Sequence, residues 1–278
     1  TFYQFLRGFF MTKPAVLVLT GYGINCDEET RSAFRMAGAE ARIVHINDII
    51  ENPAMLERYQ IFVFPGGFSY GDDTGSGKAL ANRIKNNLMD GFGRFLERDT
   101  LMLGICNGFQ VMVNLGIVPA LDRPLGDIQV SLEHNISSRY ECRWVDLRVE
   151  PDCPSVFLRG IDRLHVPVAH GEGNFFAPRD ILERIEKNRQ VALRYIRPDG
   201  SPAGGFPYNP NGSMGDIASL CDRTGRILGM MPHPERNILM TQRDDWTGLR
   251  ERYRREEMPL PETGEGLRIF RNAVDYFS

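Results

Sequence analysis

The feature that most limits the fold is a set of short apolar runs, each halted by a turn signal and separated from the next by a longer stretch. Pro14-Ala-Val-Leu-Val-Leu-Thr20 stops at Gly21, and Gln60-Ile-Phe-Val-Phe64 stops at Pro65-Gly66-Gly67. Thr100-Leu-Met-Leu-Gly-Ile105 stops at Cys106. Apolar runs without polar alternation belong to strands covered on both faces. Residues 39–46 alternate and predict a further strand, while 27–38, 78–98 and 107–115 carry helical spacing, the first closing at Gly38. Strand–helix units repeated at this length predict an α/β protein whose central sheet is mostly parallel and flanked by helices on both faces.

The second half follows another pattern. Strand-like runs at 128–149 and 191–230 lie between turn signals such as Pro198-Asp-Gly200 and Asn211-Gly212, predicting an antiparallel or mixed extension of the sheet. Residues 244–257 are dense in both charge signs and read as a solvated helical face; 266–277 read as a closing amphipathic helix. With no internal repeat and no linker, the expectation is a single domain over 14–278, preceded by an N-terminal extension over 1–13. That extension is apolar but broken by Arg7 and lacks a small-residue cleavage site, so it does not read as a signal peptide; Met11 reads as a natural start.

Composition narrows the class. Of 278 residues, 42% are hydrophobic and 25% charged, which excludes a collagen-like or largely disordered chain. Lys plus Arg is 33 against 36 Asp plus Glu, a net charge of −3, so neither nucleic-acid nor membrane-surface binding is expected. No stretch reaches the roughly 18 apolar residues of a membrane helix. The 5 cysteines form no C-x-x-C pair, which argues against a disulfide framework or zinc ribbon; no metal site is expected, and a reducing, cytoplasmic setting fits.

The chemistry concentrates at Leu101-Met-Leu-Gly-Ile-Cys106-Asn-Gly-Phe-Gln110. A cysteine where a buried strand meets a helix, flanked at −2 and +2 by Gly104 and Gly108, has the form of a nucleophile elbow with cysteine in place of serine. The small neighbours would permit a sharp turn and close approach of substrate to sulfur. The helix N-terminus supplies unpaired N–H groups that favour thiolate and can hold a developing oxyanion. A thiol nucleophile needs an oriented base. Among 5 histidines, two are followed two residues later by a carboxylate: His170-Gly-Glu172 and His233-Pro-Glu235. Spacing alone does not choose between them; Pro232 and Pro234 restrict the backbone about His233 and favour it.

These residues resemble the class I (triad) glutamine amidotransferases: Gly104-x-Cys106-x-Gly108-x-Gln110 with a later His-Pro-Glu. Pro65-Gly-Gly-Phe-Ser-Tyr-Gly-Asp-Asp73 and Met231-Pro-His-Pro-Glu-Arg236 are similar to the glutaminase subunits of phosphoribosylformylglycinamidine synthases, as are Asn25-Cys-Asp27, His170-Gly-Glu-Gly173 and Asn209-Pro-Asn-Gly-Ser213. Gly21-Tyr-Gly-Ile24 departs from the Gly-Ser pattern expected before Asn25. The resemblance implies a flavodoxin-like amidotransferase fold in which Cys106 attacks the side-chain amide of glutamine, His233 acts as base and then acid, and Glu235 orients His233. It implies an oxyanion hole from the backbone N–H groups of Gly67 and Asn107, with Gln110, His170 and Glu172 on the substrate side and Cys26 lining the site. It also implies partners: a synthetase subunit carrying ATP and Mg, which converts formylglycinamide ribonucleotide to formylglycinamidine ribonucleotide in purine biosynthesis, and a small accessory subunit.

No cofactor is expected on this chain. The segment from Gly71 to Ala79 would need Gly at Asp72 and Ser or Thr at Ala79 to form a phosphate loop, and Gly21-Tyr-Gly23 would need its third glycine at Cys26 to bind a dinucleotide. The alternatives left by the residues are a cysteine hydrolase or peptidase sharing the elbow, and a non-catalytic regulatory module. The Gly66–Gly67 turn is a candidate moving part.

Overall fold

A computed structural model describes residues 13–71 and 75–278. The expected extension, apart from Lys13, lies outside the described residues, as do Asp72 and Asp73 of the motif beginning at Pro65.

The apolar runs become β1 (Ala15–Thr20), β3 (Ile61–Phe64) and β4 (Leu101–Ile105), and the alternating run becomes β2 (Glu40–His45). β3 and β4 are buried along their whole length. Helices α1 (Asp27–Met36) and α2 (Ile46–Glu51) flank β2. The expected long helix at 78–98 is two helices, α3 (Lys78–Asn87) and α4 (Met89–Glu97), broken at Leu88, where φ is −131°. The break turns α4 so that Phe92 and Phe95 meet Phe62, at ring-centroid distances of 5.0 and 6.1 Å. Helical spacing continued through the break because Leu88 is itself a core residue. α5 (Asn107–Asn114) follows β4 directly.

Beyond α5 come β5 (Ser131–His134), β6 (Glu141–Val149), β7 (Arg163–His170), β8 (Glu172–Phe176), α6 (Arg179–Lys187), β9 (Val191–Ile196), β10 (Ile217–Cys221) and β11 (Ile227–Met230). The chain closes with α7 (Trp246–Arg255) and α8 (Leu267–Asp275). α7 buries none of its residues, as its mixed charges foretold, whereas α8 lays Ile269, Phe270 and Ala273 on the core.

Nine strands form one sheet in the order β2-β1-β3-β4-β11-β10-β9-β6-β7, and β5 and β8 form a separate pair. From β2 to β11 every pairing is parallel; from β11 to β7 every pairing is antiparallel. The expected extension is present, with one difference: β11, from the far end of the chain, joins the parallel half, with Ile105 opposite Met230. Two parallel strands therefore end side by side where the sheet changes character. No helix among the described residues is long and apolar enough to cross a membrane.

Candidate active site

Cys106 stands at the end of β4 with φ 51° and ψ −109°, a conformation that costs a non-glycine residue about 1–3 kcal/mol. Packing enforces it. A Cβ at Gly108 would stand 1.9 Å from the Phe64 carbonyl oxygen, and one at Gly104 would stand 2.2 Å from the Met112 sulfur. Gly229 on β11 belongs to the same slot, since a Cβ there would meet the Phe109 ring at 2.2 Å. The glycines therefore let α5 lie directly on β3, β4 and β11; sequence reading assigned them to the turn and to substrate approach, and missed Gly229. The Cys106 N–H donates to Met230 O at 2.7 Å, stitching the elbow to β11.

β11 delivers the second group. After Met230 the chain passes through Met231 and Pro232, and the His233 N–H donates to Pro167 O on β7 at 2.8 Å. His233 Nδ1 lies 2.6 Å from Glu235 Oε1, and both side chains are essentially inaccessible to solvent. Burial opposes charge on the ring, but the Glu235 carboxylate and the Cys106 sulfur outweigh it and hold the His233 pKa well above its ordinary value. Among the described residues, His233 Nε2 has no hydrogen-bond partner.

The other candidate pair does not assemble. Glu172 turns one carboxylate oxygen to the Ser76 N–H at 3.2 Å, and its other oxygen lies 3.6 Å from His134 Nδ1. His170 Nδ1 instead faces Asn135 Oδ1 at 3.1 Å. The Asn135 amide donates through Nδ2 to Arg139 O and His170 O, so its oxygen must accept, and His170 carries its proton on Nδ1. Burial and the neighbouring His233 push the His170 pKa down to about 3, leaving a neutral ring whose Nε2 is an acceptor without a partner among the described residues. Asn135 carried no signal in the sequence, because an isolated asparagine has no spacing to read.

Gly67, Cys106, Gln110, His170 and Glu172 line one narrow pocket. Neither the Gly67 nor the Asn107 N–H donates to another group among the described residues. Gln110 is engaged at both ends, accepting from Asn107 Nδ2 at 3.0 Å and donating to Glu172 O at 2.5 Å, so it braces the pocket wall. The Asn209–Ser213 segment lies behind that wall: Ser213 Oγ accepts from the Phe175 N–H and donates to Asn211 Oδ1, while Asn211 Nδ2 reaches the Tyr195 hydroxyl. The Gly66–Gly67 turn is tied to the 22–26 loop through Cys26 N to Gly66 O at 3.2 Å and Phe68 N to Gly23 O at 2.7 Å. Its glycines answer close approach, since a Cβ at Gly67 would stand 2.7 Å from Gly23 O.

One group of possible metal ligands occurs among the described residues: Cys26, His233 and Glu235, with ligand atoms within 4.8 Å of one another. The Arg236 guanidinium already donates to the Cys26 sulfur at 3.0 Å, placing a positive charge against any cation, and His233 Nδ1 is held by Glu235.

The chain as a whole is similar to known proteins. Residues 13–277 match the CobB/CobQ-like glutamine amidotransferase domain. The chain is 49% identical over 267 residues to a phosphoribosylformylglycinamidine synthase subunit PurQ from Methanococcus maripaludis, covering 95% of this chain and 98% of the relative. It is 42% identical to the PurQ subunit of Dehalococcoides mccartyi, covering 96% and 98%. A solved structure of PurLQS from Thermotoga maritima superimposes with a TM-score of 0.70 at 26% identity, covering 96% of this chain and all of that one.

Proposed function

The chain belongs to the CobB/CobQ-like glutamine amidotransferase family and is a glutaminase subunit of a phosphoribosylformylglycinamidine synthase, and on that premise we propose how its residues perform the reaction. The observation that carries the reading is the convergence of Cys106 and the buried His233–Glu235 pair at the ends of two adjacent parallel strands. Cys106 attacks the amide carbon of glutamine. The oxyanion rests on the N–H groups of Gly67 and Asn107, a stabilisation of about 3–4 kcal/mol for each such donor. His233, holding the proton taken from the thiol, gives it to the departing nitrogen, and ammonia leaves a glutamyl thioester on Cys106. Water, deprotonated by His233, then cleaves the thioester to glutamate and free thiol. Glu235 keeps the imidazole in the tautomer that presents Nε2 to the sulfur. On the substrate side, neutral His170 offers an acceptor for N–H groups of glutamine, Glu172 offers a carboxylate near the pocket mouth, and Gln110 acts through the wall it braces.

The ammonia passes to a synthetase partner, a reading supported by the likeness to the PurLQS structure from Thermotoga maritima. ATP, Mg and formylglycinamide ribonucleotide then belong to that partner, with a small accessory subunit completing the complex. The free cysteines support a cytoplasmic setting, and the continuous core supports a single domain over 14–278. The test is the complex reconstituted with Cys106→Ala. Glutamine-driven synthesis should vanish while synthesis from ammonium salt persists, and wild-type glutaminase activity should rise strongly on adding the synthetase. A Cys106→Ala complex that still uses glutamine would refute the assignment.

A further inference from the structure

The reaction leaves three features unexplained: the buried Cys26 sulfur, the half-buried Arg236 guanidinium beside it, and the buried second oxygen of Glu235. Cys26 is wholly buried at the start of α1. Its backbone is fixed on both sides, with its N–H donating to Gly66 O at 3.2 Å and its carbonyl accepting from Thr30 Oγ1 at 2.6 Å. Gly66 has no room for a Cβ because the His233 ring and the Cys26 sulfur close on it, at 2.7 and 3.2 Å. The sulfur therefore stands beside the imidazole without being the nucleophile.

Arg236 follows Glu235 directly, and its guanidinium faces a choice. Nη2 donates to the Cys26 sulfur at 3.0 Å, while Nε stands 3.9 Å from Glu235 Oε1. Glu235 Oε2 is buried without a hydrogen-bond partner among the described residues. A guanidinium and a carboxylate form their strongest pair through two parallel hydrogen bonds. Such a pair would satisfy Oε2 but would draw charge away from His233. We propose that Cys26 is a positioning residue, whose sulfur holds the Arg236 guanidinium back from Glu235 and so reserves that carboxylate for His233. The inference rests on the reading of His233 as the catalytic base.

The electrostatics agree with the geometry. Burial disfavours the Arg236 charge, and contacts with Cys26, ahead of those with Glu235, raise its pKa above the ordinary arginine value. The titratable groups acting with His233 come from several elements: Glu235 and Arg236 on its own segment, Cys106 after β4, Cys26 before α1, His170 at the end of β7, and Tyr140 ahead of β6. Of these, Arg236 is the cation able to reach Glu235 by rotation of its own side chain.

The experiment compares Cys26→Ala, Cys26→Ser and the double variant Cys26→Ala/Arg236→Gln in the complex with the synthetase, measuring glutaminase kcat, KM and pH profile. Cys26→Ala removes one sulfur and leaves the backbone bonds to Gly66 and Thr30, so it folds. Its kcat should fall about tenfold with KM for glutamine unchanged, and the limb set by His233 should move about one unit to lower pH, because the ring loses its counter-charge. Serine, an acceptor of similar size, should restore most of both, and removing Arg236 in the alanine background should return the limb. A wild-type profile in Cys26→Ala, or a double variant no better than the single, overturns the proposal. His233→Ala in the same assay separates this failure from that of the underlying reading, since turnover retained there removes the base and the proposal with it.

Discussion

The two halves of the main sheet contribute differently to one site. The parallel half, β2-β1-β3-β4-β11, is built from short strands, those inside the edge strand β2 being buried on both faces, and the ends of its last two strands carry Cys106 and lead to His233. In the antiparallel half, β10-β9-β6-β7, the outer strands β6 and β7 are longer and half-buried, and from its edge come Ala169, His170 and the turn into Glu172. In the proposed mechanism, the first half supplies the rigid groups that make and break bonds. The second supplies a polar wall whose acceptors are fixed by amides such as Asn135. Reactive atoms gain most from a frame with no slack, whereas a wall that recognises substrate needs many weaker polar contacts.

The largest test of this division exchanges the histidines. His233→Ala should cut glutaminase turnover by about 10²–10⁴-fold, the usual weight of a general base. His170→Ala should raise KM for glutamine with a much smaller change in kcat, because a neutral wall acceptor binds ground and transition states alike. Steady-state kinetics of both variants in the complex decide it; an exchange of the two phenotypes would dissolve the comparison.

A smaller effect probes the frame. Gly108→Ala forces a methyl against the Phe64 carbonyl and should cost about 3 kcal/mol, at the upper end for overpacking. Thermal or denaturant unfolding measures the loss, and glutaminase activity should fall with it because the elbow moves. Gly93→Ala, at a glycine with open space, should leave stability within about 1 kcal/mol of wild type.

The smallest effect lies on the solvated side of the antiparallel half. His165 on β7 bridges Asp146 at 2.9 Å and Asp244 at 3.1 Å, fastening the segment ahead of α7. Burial opposes its charge, but the two carboxylates outweigh it and raise its pKa. A raised imidazole adds stability that is full below its unfolded-state value and is lost as pH rises through the folded-state value. The melting-temperature advantage of wild type over His165→Gln should therefore be greatest near pH 5 and fade toward pH 9, corresponding to less than about 1 kcal/mol. An advantage that grows with pH would contradict the ion-pair account.

The same contrast explains what could be read from the sequence. β1, β3 and β4 of the parallel half announce themselves because burial on both faces favours apolar residues, and turn residues stop them. The elbow at Cys106 and the His233–Glu235 contact were legible because their geometry depends on neighbours in sequence. That β11 pairs with β4 was not legible, since a four-residue apolar run carries no address for its partner. The fixing of His170 by Asn135, and the meeting of Cys26 with Arg236, join residues far apart in the chain and leave no local spacing. The break at Leu88 was hidden because a core leucine fits the helical pattern on either side of it.

The central claim is that the thiol at the parallel–antiparallel junction, and not its buried neighbour, carries the covalent step. The direct measurement is acid quenching of the complex during glutamine turnover, followed by mass spectrometry of cysteine peptides. The account predicts a glutamyl thioester on the peptide containing Cys106, lost on chase with water and absent in Cys106→Ala. An adduct on the Cys26 peptide, or sustained turnover with no adduct on Cys106 at any quench time, would contradict it.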